Sequence, residues 1–140
     1  MSDTATTTAP QAKVRAPAKM AAVGIGVADM ARSVKFYTEV MGMKQLQVIN
    51  LPHLQEIVLG YERDVSVVLM HYLDGSEQHY TNNPVKLVFN SDDPKVIFER
   101  IKAAGHEITR WPEVMPEFHN MIIGLAKDPD GYTVELLGQG

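Results

Sequence analysis

The chain contains no cysteine, which excludes disulfides, thiolate nucleophiles and thiolate metal sites together. No apolar run approaches the roughly 18 residues that a membrane-crossing helix needs. Excess charge is also scarce: 13 Lys and Arg against 17 Asp and Glu leave a formal net charge of −4. Lys13, Arg15 and Lys19 offset Asp3 near the start, so the remainder of the chain is near −6. With no basic stripe, neither nucleic acid nor a membrane is an expected partner.

What is present suits one globular domain: 140 residues, 45% of them hydrophobic, can bury a substantial core. The opening "MSDTATTTAPQAKVRAPAK" is rich in Thr, Ala and Pro and lacks the apolar stretch of a secretory signal. It reads as a flexible tail over 1–19, with the cytoplasm as the default compartment. Residues 20–140 form the expected domain.

From Met20 the pattern runs strand, helix, strand, strand, strand. "AAVGIGV" alternates with period two. "DMARSVKFYTEVMG" places Met30, Val34, Tyr37 and Met41 at helical spacing, with Asp29 suited to cap the helix and Gly42 to end it. "KQLQVIN", "QEIVLGY" and "VSVVLMHYL" are strand-like. After the loop "DGSEQHYTNN" the order repeats: "VKLVFN", then a helix in "DDPKVIFERIKAAG", then "HEITRW", "NMIIGLA" and "YTVELL", the last two joined by the turn "DPDG". Asp29 and Asp93 lie about 64 residues apart, Phe36 and Phe98 about 62, Gly42 and Gly105 about 63. That agreement indicates an internal duplication. Module one spans about 20–73, the loop 74–83, and module two about 84–138.

Bulkier apolar positions are expected to pack under the helices: Val23, Ile25 and Val27; Val85, Leu87 and Phe89; Met121, Ile123 and Leu125; Tyr132, Val134 and Leu136. The smaller or more polar set then faces a cavity: Ala22, Gly24 and Gly26; Lys86, Val88 and Asn90; Asn120, Ile122, Gly124 and Ala126; Thr133, Glu135 and Leu137. Val67, Leu69 and His71 are placed on that side as well. Small residues on one face leave room for a small-molecule ligand.

The stretches "GVADMARSVKFYTEVMGM" and "AKDPDGYTVELL" resemble the first strand and helix, and the last hairpin, of the vicinal oxygen chelate superfamily. That group includes glyoxalase I, bleomycin resistance proteins and extradiol dioxygenases, and the resemblance covers residues 20–138. It implies an α+β fold of two βαβββ modules forming a curved, cup-shaped mixed sheet with helices on the outer face, usually in a homodimer. In many members the cup holds a divalent metal, with ligands on the first and fourth strand of each module. Carried over, those positions fall at Ala22, Leu69, Lys86 (or Val85, with a shift of one residue) and Glu135. Only Glu135 is a competent ligand. Alanine and leucine have no donor, and protonated lysine has no lone pair. These departures from the family's pattern point to a degenerate metal site with no cofactor, and disfavour glyoxalase and extradiol chemistry of the usual metal-dependent kind.

Glu135 is a lone carboxylate in an apolar strand, and its burial needs a partner. Lys86 is the expected one, with Thr133, Asn90 and Asn120 placed to add hydrogen bonds. Two functions remain open. In one, Glu135 is a general base and Lys86 stabilises an oxyanion, with His71 as an additional acid or base, giving metal-independent isomerase, epimerase or lyase chemistry on a small carbonyl compound. In the other, the chain binds a ligand without chemistry, as bleomycin-resistance-like relatives do. Ala22, Gly24, Leu69, Asn90 and Asn120 would line the cup, and Tyr80, Trp111, Phe118 and His119 would offer stacking surfaces. A rearranged metal site would have to use Glu135 with His71, and His119 beside them. His53, His79 and His106 have weaker cases in turns, loops or strand starts.

Overall fold

The computed structural model of the chain describes residues 16–139. Residues 1–15 of the expected tail lie outside them, and 16–19 are exposed and form no helix or strand.

Both helices begin where an Asp side chain can satisfy a free backbone N–H. Asp29 accepts from Arg32 N at 3.1 Å and starts α1 (Met30–Lys35), which widens into a π-helical turn over Phe36–Val40. Asp93 accepts from Val96 N at 3.4 Å at the start of α2 (Pro94–Ala103). Gly42 and Gly105 close them at φ +80° and +82°, the left-handed conformation in which a side chain is unfavourable.

The strands are β1 (Val23–Gly26), β2 (Lys44–Asn50), β3 (Leu54–Tyr61), β4 (Asp64–Tyr72), β5 (Lys86–Asn90), β6 (Ile108–Met115), β7 (Met121–Lys127) and β8 (Thr133–Gly138). They form two four-stranded mixed sheets of the same order, β1-β4-β3-β2 and β5-β8-β7-β6, with β1 parallel to β4 and β5 parallel to β8. Among the described residues no strand of one sheet pairs with the other. The expected cup is thus two neighbouring sheets, not closed. Strand β6 continues past "HEITRW" to Met115 and is followed by a 3₁₀ turn (Pro116–Phe118).

Register corrects two assignments of face. Val67 pairs with Val23 and Leu69 with Ile25, so both lie on the helix side. Leu69 is fully buried there and is not a cup residue. In β7 the faces are reversed. Gly124 lies against the Phe98 ring and Pro112, and Ala126 is buried, while Ile123 and Leu125 turn to the open face with Glu135 and Leu137. Helix α2 packs too close to this strand to admit a large side chain.

The modules are joined by buried polar contacts. Tyr37 OH donates to Asp128 Oδ2 at 2.7 Å, and Asp128 Oδ1 accepts from Asp130 N and Tyr132 N at 2.9 Å each. Asp130 accepts from Ala28 N (3.2 Å), Arg32 Nη2 (3.0 Å) and Ser33 Oγ (3.3 Å), and Tyr132 OH donates to Gly26 O at 2.7 Å. Burial pushes the Asp128 carboxyl above its ordinary value, against the Tyr37 hydroxyl and backbone N–H groups that hold it down. Burial and the neighbouring Asp128 hold Tyr37 well above the usual tyrosine range.

Candidate functional site

Strands β5 and β8 bring Lys86 and Glu135 to the open face of the second sheet. Parallel register pairs Lys86 with Thr133 and Val88 with Glu135, so the long lysine side chain reaches along the strand to the carboxylate. Lys86 Nζ lies 3.0 Å from Glu135 Oε1, with the lysine side chain 53% and the glutamate 15% exposed. The expected pair forms. Its expected supporting bonds do not: Thr133 Oγ1 accepts from Lys127 Nζ at 2.9 Å, and among the described residues Asn90 and Asn120 make no hydrogen bond to Glu135.

Two hollows share Lys86 in their walls. One, of about 510 Å³, is lined by Lys86, Glu135 and Arg110 together with Met115, Phe118, Met121, Ile123, Leu125 and Leu137. The other, of about 480 Å³, runs from Lys86, Val88 and Asn90 of β5 to Val23, Ser66 and Tyr61 of the first module. Arg110 was not anticipated. It lies beside a register shift in β6, which the sequence signals only by Pro112. Its Nη1 donates to Glu113 Oε1 at 2.6 Å.

The other expected site residues are dispersed. Trp111 turns to the helix side, its ring 6.0 Å from that of Phe98, edge to face, with Lys102 Nζ 6.0 Å from its centre. It is therefore packing and not a cup residue. His119 and Asn120 are exposed in left-handed backbone at the rim, φ +59° and +61°. His71 Nδ1 is 2.8 Å from Val27 O, and its ring stacks on Tyr80. This His71 is anchored in module one, on the strand positions of Val67 and Leu69. Tyr80 of the inter-module loop also covers Gly26, and Met70 covers Gly24, so the open face of module one is partly filled by side chains of the chain itself.

Internal symmetry locates anew the metal position on the fourth strand of module one. Asp29 corresponds to Asp93, so Ala22 corresponds to Lys86 and Gly24 to Val88. Val88 pairs with Glu135, whereas Gly24 pairs with Val68. The counterpart of Glu135 is therefore Val68 and not Leu69. Ala22, Val68 and Lys86 offer a divalent metal no donor, and Glu135 already faces an ammonium group. This donor set does not fit a metal. Among the described residues, no three His, Asp or Glu side chains cluster closely enough to hold one, so the His71–Glu135–His119 arrangement is not assembled within the chain.

Two halves of like βαβββ topology with an open apolar face define the fold of a vicinal oxygen chelate protein. The chain belongs to the Glyoxalase/Bleomycin resistance protein/Dioxygenase superfamily, whose profile matches residues 19–136. It is 33% identical over 117 residues to a lactoylglutathione lyase of Salmonella typhimurium, covering 79% of this chain and 85% of that protein. It is 32% identical to a lactoylglutathione lyase of Arabidopsis thaliana over 81% of this chain, but spans only 42% of that protein's length. Among solved structures, glyoxalase I of Leishmania major superposes with a TM-score of 0.72 at 26% identity, covering 88% of both chains. No helix among the described residues is long and apolar enough to cross a membrane.

Proposed function

We propose that this protein is a metal-independent isomerase, epimerase or lyase acting on a small carbonyl compound in the cytoplasm. The observation that carries the reading is the Lys86–Glu135 pair, 3.0 Å apart, on the open face where relatives would place metal ligands. The kinship with lactoylglutathione lyases supports chemistry next to a carbonyl.

Glu135 takes the proton from the carbon beside the carbonyl, and the C–H electron pair becomes the carbon–carbon double bond of an enolate. The negative charge collects on the carbonyl oxygen. Lys86 has three N–H donors and spends one on Glu135, leaving two to meet that oxygen. Return of the proton to carbon completes an isomerisation or epimerisation; departure of a group from the next carbon completes a lyase reaction. His71, held by Val27 O, has no direct role in this scheme. We further propose a homodimer, since Val88 and Phe118 on the open face are 51% and 52% exposed in one chain.

The test is deuterium uptake beside the carbonyl of candidate ketones in heavy water, followed by NMR on chelator-treated protein. Glu135→Gln keeps the shape and removes the base, and uptake should fall by about 10²–10⁴-fold. Activity that disappears on chelation and returns with a divalent metal would sink the metal-independent reading. The apolar hollow beside the pair favours ligand binding without turnover as the second reading. A ligand-induced rise in Tm with no consumption of the ligand would support it.

A further inference from the structure

The two hollows contain very little unspent charge. Their charged lining among the described residues is Lys86, Arg110 and Glu135. Lys86 is matched by Glu135 at 3.0 Å and Arg110 by Glu113 at 2.6 Å. Lys127, farther along β7, donates to Thr133 and lines neither hollow. Between the two ion pairs the wall is apolar, with Ile123, Leu125 and Leu137 at its centre.

We infer that the site takes an uncharged, largely apolar carbonyl compound and discriminates against anionic ligands, glutathione conjugates among them. This rests on the proposed role of Lys86 and Glu135, and extends it to the substrate class. A glutathione conjugate carries two carboxylates and one ammonium group. In these hollows its carboxylates would exchange part of their water for aliphatic side chains, and the two cations of the lining, Lys86 and Arg110, each already face a carboxylate of the chain. A neutral ketone or ester buries its carbon skeleton on the same wall. It requires only a hydrogen bond to its oxygen, which the free N–H donors of Lys86 supply. Glu113 is thus a specificity-determining residue: it touches no substrate, and acts by neutralising Arg110.

The experiment is displacement of the uncharged fluorescent ketone Prodan from the full-length protein, whose emission shifts to the blue in apolar surroundings. Naphthylacetate and its methyl ester serve as competitors of nearly identical shape, and S-hexylglutathione as a conjugate. The ester should displace Prodan at about tenfold lower concentration than the acid, and more readily than S-hexylglutathione. Glu113→Gln should narrow the gap between ester and acid by releasing Arg110. A Prodan signal that never shifts, an acid or conjugate that competes as well as the ester, or a gap unchanged by Glu113→Gln would each overturn the inference. The outcome is separable from catalysis. Preference for the ester without Glu135-dependent deuterium uptake defeats the catalytic reading alone, whereas uptake without that preference defeats only the substrate class.

Discussion

Glu135 is 15% exposed and Lys86 53% exposed, and this asymmetry sets what their pairing is worth. A fully buried pair that loses one member destabilises a protein by about 3–5 kcal/mol, because a bare charge remains in a dry interior. Here the lysine is half in water, and the open hollow lets water reach the carboxylate when the lysine is removed. Lys86→Met should therefore lower unfolding stability by about 1 kcal/mol or less, measured by denaturant titration. A loss of several kcal/mol would mean that the carboxylate is sealed from solvent. The pairing itself was legible from two residue types and the strand pattern. The exposure of the lysine was not, because it depends on β5 lying at the edge of its sheet.

Strand β7 shows where reading by hydrophobicity fails at the scale of an element. Met121, Ile123 and Leu125 are the larger side chains, and size suggested that they face the core. The open face is itself apolar, so hydrophobic alternation cannot distinguish the two sides. Close packing of α2 decides the matter, and Gly124 and Ala126 are small because the helix leaves no space. A methyl group added at Gly124 would stand 2.7 Å from Phe98 Cζ and 2.8 Å from Pro112 Cγ. Gly124→Ala should cost about 1–3 kcal/mol through overpacking, seen as a lower denaturation midpoint with an unchanged m-value. A neutral result would mean that α2 can move away from the sheet.

In the whole molecule, the modules are fastened by the turn "DPDG" reaching across to α1. Tyr37→Phe removes a 2.7 Å hydrogen bond from a buried carboxylate and should cost about 1–3 kcal/mol near neutral pH. The alkaline limb should change as well. The folded-state pKa of Tyr37 lies well above the ordinary 10.0, so the folded protein keeps this proton while the unfolded chain releases it. Its contribution is complete below pH 10 and declines as pH rises from there toward the folded value. Tyr37→Phe should lose stability less steeply than the parent above pH 10 when thermal melts are followed across that range. Equal slopes would show that Tyr37 is not protected in the folded state.

Sequence alone was sufficient for the duplicated βαβββ order, the Asp caps and Gly stops of both helices, the family, and the confrontation of Lys86 with Glu135. The first three depend on local spacing and short motifs, and the last on two residue types placed on the first and fourth strands of one module. Tertiary structure alone made Val68 rather than Leu69 the counterpart of Glu135 in module one, turned Trp111 onto α2, tied His71 to Val27, and brought Arg110, paired with Glu113, to the wall of the hollow. Those outcomes follow from strand register and from the shifts within β6. A slip of one residue exchanges the two faces of a strand, and no local pattern records it when both faces are apolar.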